Sequence, residues 1–297
     1  MAKNILHMLT PLKHMSPFDV NMAADAGYDV LATYTSVTPE EVRGLVQDAI
    51  FSRSPADAVR QGIFFAGKNA IAALDMMKTA ENSLVPPFLV NLMADPAGSF
   101  TTAAGMVACA AKLLETKFQT TFKGKTVVIY GGTGVVAFSA AVIAAQEGAK
   151  VKLVGYDGTK RVGGIAADMK ARFGVDVEPA DGSSPEKNAA LAIDAEVLFA
   201  AGPAGVQILD AEQVAAAKSL LIAADVNAVP PPGVHGVDVF ANGDPLGFGQ
   251  AVGLGALAIG NVKYQAQHRL LKRMITTSEP LVLDFRHAYD EARAFIG

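Results

Sequence analysis

An α/β fold built on a doubly wound parallel sheet, with a second α/β unit in the same chain, is what this 297-residue sequence predicts. Three observations carry that expectation. The strand-like run Thr126-Val127-Val128-Ile129-Tyr130 passes straight into closely spaced glycines and then an apolar helix. From Lys125 onward, short β-rich runs alternate with helical patterns, the signature of a parallel sheet covered by helices. Ahead of residue 122, strand–turn–helix patterns recur around 62–66 and 87–94, with no sequence repeat between them.

The elements follow in order. Strand 126–130 leads to a helix over 134–147, which Gly148 ends. Strand 151–155 precedes a helix over 159–173, and a short strand at 175–177 precedes a helix over 185–193. Strand 196–200, a helix over 211–216 and a strand at 220–224 come next, with 237–239 as the candidate sixth strand. A long helix over 253–274 begins rich in glycine and alanine, which lets it lie close to other backbone. The tail, 280–297, reads as a short strand or turn and an amphipathic helix that packs back on the N-terminal unit. The domains expected are therefore 1–122 with 268–297, and 123–267.

Hydrophobic residues at 51% and charged residues at 18% describe a well-packed chain, not a disordered one. A net charge of −4 carries no basic excess, so a nucleic-acid partner is not expected. Cys109 is the single cysteine, which excludes an internal disulfide framework and suits a reducing compartment. Its neighbours, Val107-Ala108-Cys109-Ala110-Ala111, read as helix interior, the setting of a small buried hydrophobe. The most apolar runs, around 135–145 and 251–259, are interrupted well short of the ~20 residues that a membrane span needs. His7 and Lys13 break any signal-like core, and the expected location is the cytoplasm, with no membrane partner.

Gly132, Gly134 and Ala137 fit the G-x-G-x-x-G/A dinucleotide fingerprint in register, and Gly131, Thr133, Val135 and Val136 complete the loop. Phosphates would sit on the N–H groups of the following helix, where the macrodipole favours anions. The segment is thus a candidate Rossmann-type domain. Asp157, after the second strand, stands where an acidic residue accepts hydrogen bonds from the adenosine ribose. Lys160 and Arg161 follow and are placed to neutralise a 2′-phosphate, so use of both NAD and NADP is the working expectation. Ala201-Gly202-Pro203 and Asp225-Val226-Asn227-Ala228 follow the fourth and fifth strands. The former offers backbone to the cofactor ribose and Asn227 an amide to the nicotinamide; tight turns without ligand contact are the competing reading.

Other chemistries are poorly supported. Tyr156-x-x-x-Lys160 copies a short-chain dehydrogenase pair, but it straddles a turn after the second strand instead of lying along one later helix. The five histidines show no metal-ligand spacing, and no Gly-x-Ser-x-Gly elbow appears. No histidine is obviously placed as the acid/base that alcohol oxidation requires. That pattern suits a hydride donor carbon from which no hydroxyl proton must be removed.

Outside the fingerprint, longer strings carry a more specific signal. They are His7-Met8-Leu9-Thr10-Pro11-Leu12-Lys13-His14-Met15-Ser16-Pro17-Phe18-Asp19-Val20 and Asp95-Pro96-Ala97-Gly98-Ser99-Phe100-Thr101-Thr102. Gly131 to Val136, Ala224-Asp225-Val226-Asn227-Ala228, and Gly255-Ala256-Leu257-Ala258-Ile259-Gly260-Asn261-Val262-Lys263-Tyr264 complete the set. With these, the chain resembles, over nearly its whole length, the NAD(P)-dependent methylene-tetrahydromethanopterin dehydrogenases of methylotrophic bacteria. The resemblance implies a pterin domain made of the N-terminal segment and the tail, a Rossmann domain between them, and a homo-oligomer. It also implies hydride transfer from a carbon bridging two nitrogens, whose lone pairs stabilise the methenyl cation without a general base. Substrate contacts implied are Lys13, Ser16, Asp19, Asp95, Ser99 and Thr102, with Lys263 positioning the pterin near the transferred hydride. Against these, Ser99 and Thr101 are N-cap candidates, Asp95 suits a turn, and Lys263 can be a solvated charge. Two alternatives stay open: the same reaction on methylene-tetrahydrofolate, and a non-catalytic dinucleotide-binding sensor.

Overall fold

The computed structural model describes residues 2–297. In chain order the first elements are β1 (Ile5–Leu9), α1 (Pro17–Ala26), β2 (Val30–Tyr34), α2 (Val42–Phe51), α3 (Pro55–Ala58), β3 (Gln61–Phe65), α4 (Ala70–Glu81) and β4 (Asn91–Ala94). Next come α5 (Ser99–Phe118), β5 (Thr126–Tyr130), α6 (Val135–Gln146), β6 (Lys150–Gly155), α7 (Thr159–Phe173), β7 (Val177–Asp181) and α8 (Pro185–Ile193). The chain ends with β8 (Val197–Ala200), α9 (Ala211–Ala216), β9 (Ile222–Asp225), β10 (Asn242–Pro245), β11 (Val252–Leu254), α10 (Ala256–Thr276), β12 (Val282–Leu283) and α11 (Phe285–Ile296).

These elements form two compact units, Met1–Thr101 with Tyr264–Glu291, and Thr102–Lys263 with Ala292–Gly297. The divisions fall inside α5, α10 and α11 rather than at 122 and 267. Boundaries are read from polar, Pro- or Gly-rich stretches, and a helix interior shows none.

The first unit carries a five-stranded sheet in the order β12-β4-β3-β1-β2, with every neighbouring pair parallel. β3 and β4 are buried throughout, as strands covered on both faces must be. The tail returns to this unit: β12 pairs with β4, with Val282 opposite Leu92. Asn91, fully buried, holds that return. Its Nδ2 donates to the carbonyls of Val59 and Met274, both at 2.8 Å, and its Oδ1 accepts from Leu281 N at 2.9 Å.

The second unit carries a seven-stranded sheet, β10-β11-β9-β8-β5-β6-β7. Counting from β5, the parallel strands run 3-2-1-4-5-6, the doubly wound order expected of a Rossmann domain. The sixth strand is β11, extended by antiparallel β10, and not 237–239. That segment instead closes on the start of α10, where Leu257 N donates to Val239 O at 2.9 Å. The third strand is β7, displaced toward the C-terminus from 175–177. Pro179 lies within it, which a sheet edge tolerates and a central strand does not. The first two residues assigned to the long helix, Gly253 and Leu254, belong to β11, and Gly255 joins it to α10.

One helical stretch, residues 96–118, is long and apolar enough to match a membrane span, yet most of it is buried inside the protein. Its composition reflects a core helix: Phe100, Ala103, Ala104, Met106, Val107 and Ala110 are fully buried.

α11 is anchored at its start by Asp284, whose side chain is only 3% exposed. Arg286 donates to it through Nε and Nη2, the latter at 2.6 Å, and the Arg286 N–H also donates to Oδ1. Burial alone would raise this carboxyl, but His287 and Arg286 hold it down at about 2, against an ordinary 3.8. A carboxylate depressed in the folded state adds stability above its unfolded pKa and loses it as pH falls toward the folded one. Asp284→Asn should therefore lower stability by roughly 2 kcal/mol at neutral pH and flatten the acid limb between about pH 4 and 2. Urea unfolding midpoints measured at both ends of that range check the sign and the size.

Candidate functional site

β5 and β8 are neighbours where the strand order reverses, so the loops leaving their C-terminal ends open together at the switch point. Gly131 leaves β5 with φ +81, and a Cβ there would run into the carbonyl of Ala201, which leaves β8. Only glycine meets both demands. Gly132 N donates to Val154 O at 2.9 Å, tying the loop to β6. Gly134 opens α6, and no side chain caps the helix. A Cβ on Gly134 would lie 3.2 Å from Gly131 O and 3.8 Å from Ala201 O, tight but short of the collision at Gly131. A helix start without a side-chain cap fits a dinucleotide pyrophosphate, with first-turn N–H groups as donors. Ala137 is fully buried, as the small third residue of the fingerprint should be. Thr133, Val135 and Val136 are half-buried at the rim, as are Ala201 and Gly202, while Pro203 is exposed.

Beyond β6, Asp157 Oδ2 and the Tyr156 hydroxyl each accept from Arg161 Nη1 at 3.0 Å. The guanidinium lies 5.7 Å from the centre of the Tyr156 ring, and Tyr156 is 67% exposed. Asp157 and Arg161, offered separately by the sequence, therefore form one surface ion pair, with Lys160 exposed next to them.

Two expected cofactor contacts are turned to internal use. Asp225 is buried at the end of β9, and its carboxylate accepts from the backbone N–H groups of Asn227, Gly233 and Val234. Burial raises its pKa and these donors oppose the rise. Asn227 closes its own loop, donating to Pro231 O and accepting from Val229 N, both at 2.9 Å. Beyond it lies a 430 Å³ cleft walled by Val229, His235 and Val239.

In the first unit, the loops after β1, β3 and β4 line a 470 Å³ cleft. It brings together Lys13, Ser16 and Asp19, and adds Lys68 and Ala97. Ser16 stands at the N-cap of α1 but makes no capping bond, and Pro17 follows it at the first helical position. Asp19, in the first turn, is buried, and its Oδ1 accepts from Gln267 Nε2 at 2.9 Å. Ala97 lines the cleft with φ 55 and ψ 29, a left-handed conformation rare outside glycine and asparagine.

Asp95 holds that turn in place. Fully buried, it accepts from Phe100 N at 2.9 Å, Thr101 N at 3.2 Å and Thr101 Oγ1 at 2.7 Å. The helix-capping alternative therefore accounts for Asp95, whose contribution to the cleft is the backbone it fixes. Ser99 and Thr102 are half-buried in the first turn of α5 and do not line the cleft.

Lys263 is half-buried on α10. The glycine that lets α10 pass closely is Gly105, on α5: a Cβ there would sit 3.0 Å from Ile259 O and 3.1 Å from Lys263 N. Gly260, inside the glycine-rich string, has open space around it. Gln267, past the end of the string, lies one turn beyond Lys263 on the same helix. Cys109 is buried, and that burial pushes its thiol up to about 12. Among the described residues, no group of three or more His, Cys, Asp or Glu is placed to hold a metal.

Residues 17–97 match the family described as methylene-tetrahydromethanopterin dehydrogenase, N-terminal. Over 297 residues the chain is 57% identical to the NAD(P)-dependent methylenetetrahydromethanopterin dehydrogenase of Methylorubrum extorquens, covering 100% of each. The chain belongs to this dehydrogenase family. The bifunctional protein MdtA of the same organism is 31% identical over 293 residues, 99% of each chain. Among solved structures, quinate dehydrogenase from Corynebacterium glutamicum in complex with NAD superposes with a TM-score of 0.55 over 97% of this chain and 98% of that one. At 15% identity that likeness is one of fold.

Two glycine variants separate scaffold from ligand in this dehydrogenase. Gly131→Ala adds ~1–2 kcal/mol of left-handed strain and a backbone collision, so a fall in Tm and at least tenfold weaker NADH binding are expected. Gly134→Ala, at a β-region N-cap, should hold stability within ~1 kcal/mol while still weakening binding, because its methyl crowds the loop carbonyl of Gly131 beside the helix start. Thermal unfolding with NADH fluorescence titration decides; unweakened binding in Gly134→Ala would count against phosphate contact there.

Proposed function

We propose that this protein transfers hydride from the methylene carbon of 5,10-methylene-tetrahydromethanopterin to NAD(P)+, giving the methenyl pterin. The observation that carries this is identity at 57% of positions, end to end, with the dehydrogenase of that name. When bound, the nicotinamide ring supplies the hydride acceptor. The rest falls to the chain's own groups. The Gly131–Gly134 loop and the start of α6 take the pyrophosphate, while Lys13, Ser16 and Asp19 line the cleft that takes the pterin. Lys263 positions the substrate and is assigned no proton transfer, since the methenyl cation is stabilised by its own nitrogens. Holding donor and acceptor in line is then the main catalytic contribution. A homo-oligomer working in the cytoplasm belongs to the same reading.

Acceptance of both nucleotides follows from the Asp157–Arg161 pair. Its side chains are 35% and 54% exposed, and an ion pair so placed is worth only ~0–1 kcal/mol. Asp157 can therefore hold the ribose hydroxyls of NAD while Arg161 stays in place. With NADP, releasing Arg161 to the 2′-phosphate costs little and gains a charge-assisted hydrogen bond.

Initial rates with methylene-tetrahydromethanopterin and methylene-tetrahydrofolate, each with NAD and NADP, test the assignment. Turnover of the methanopterin with both nucleotides is expected. Turnover of the folate alone would move the substrate, and NADH binding without any turnover would leave a sensor. Arg161→Ala should raise KM for NADP several-fold more than for NAD, and Asp157→Ala should shift the ratio the other way. An unchanged ratio in both would remove the pair from nucleotide choice. Lys263→Ala should lower kcat/KM for the pterin by at least tenfold, a loss of ~1.4 kcal/mol.

A further inference from the structure

Three basic side chains stand around the 470 Å³ cleft of the first unit: Lys13 and His14 from the loop after β1, and Lys68 from the loop after β3. All three are exposed, and among the described residues none has an acidic partner. The cleft is also graded in polarity. Its enclosed carboxylate, Asp19, is 2% exposed, whereas its cations are at the mouth.

The backbone beneath Lys68 is built for this place. Gly67, with φ +135, turns the β3 loop against Pro11, whose ring a Cβ on Gly67 would meet at 3.4 Å. The loops bearing Lys13 and Lys68 leave strand ends that are tied together, Ala66 N donating to Leu9 O at 2.9 Å. The uncapped start of α1, at Ser16 and Pro17, opens into the same cleft and adds its positive dipole end.

We propose that Lys68, with Lys13, binds an anionic group on the side chain of the pterin substrate and so determines which pterins the enzyme prefers. This rests on the hydride-transfer reading above. A ligand with N–H donors at one end and acidic groups at the other matches the gradient: heterocycle toward Asp19, acidic tail between the lysines. A carboxylate or a phosphate would satisfy the same pair.

The test compares kcat/KM for the full methanopterin substrate with that for an analogue truncated after the arylamine ring, which keeps the reacting carbon and lacks every acidic group. Wild type should prefer the full substrate, and added salt should shrink the preference. Lys68→Ala and Lys13→Ala should each shrink it about tenfold, Lys68→Glu further, and Lys68→Arg should restore most of it. Lys78→Ala, which removes an exposed lysine paired with Glu81, should leave the preference where it was. Methylene-tetrahydrofolate, whose tail carries carboxylates only, distinguishes the anion: a Lys68 effect retained there points to carboxylate, and one lost there to phosphate. A preference untouched in Lys68→Ala and Lys68→Glu overturns the proposal. Equal turnover of full and truncated substrates by wild type overturns it while keeping the hydride-transfer reading, and turnover of neither overturns both.

Discussion

The nucleotide end of this molecule depends on one backbone contact, the approach of Gly131 to the carbonyl of Ala201. Two loops leaving adjacent parallel strands would normally be held apart by side chains. Here the absence of a Cβ lets them touch, which seats Gly132 against β6 and starts α6 directly above the sheet edge. The anion-binding role proposed for this loop would thus rest on backbone: N–H groups and a dipole, held where the strand order reverses. It needs no charged side chain, and the half-buried rim formed by Thr133, Val135 and Val136 supplies none.

Polar residues that stand out in this sequence divide into two groups, and burial is the physical sorter. Asp95, Asp225 and Asn91 are enclosed, and each is engaged by backbone N–H or C=O groups of another segment. A buried carboxylate without such donors would carry a large desolvation penalty, so these side chains are committed to the loops they hold. Lys13, Ser16 and Lys68 face open space instead, with no competing internal partner for the two lysines. Asp19 belongs to both groups: it is enclosed and held by Gln267, yet it lines the cleft. Apart from Asp19, the cleft depends on the committed set without containing it. Asp95, for instance, shapes the cleft through the left-handed turn at Ala97 and not through its own oxygens.

The legible parts of the fold were those whose signals are local. The β5–α6 turn, with its glycines, and the helices over α7, α8 and α9 could be placed from pattern alone, because capping, glycine and periodicity act over a few residues. What resisted was set by distant partners. β2, an edge strand with partly exposed residues, exists because a neighbouring strand is there to pair with it. β7 runs through Pro179 because it lies at the edge, a fact about strand order that no local window contains. The same distinction holds for the site. Lys13, Ser16 and Asp19 share one short string and were read together, whereas Lys68 and Gln267 reach that cleft or its carboxylate from far along the chain. Gly105 was invisible for a related reason: its role is to be small where α10 crosses, and the sequence around Lys263 says nothing about α5.

A hydride transfer that requires no proton acceptor changes what the protein must supply. With no base to tune, catalysis comes to rest on distance and angle, and these are set by packing. Lys263 illustrates the point. Its backbone nitrogen would lie 3.1 Å from a methyl on Gly105, so even one added carbon must push α10 away from α5. Interiors packed this closely transmit such displacements instead of absorbing them. The displacement required is a few tenths of an ångström, carried by the backbone of the residue proposed to position the pterin. On the role proposed for Lys263, the geometry of transfer is kept by a glycine on a neighbouring helix, and backbone contacts at Gly131 and Gly105 take the place where a catalytic histidine would otherwise be sought.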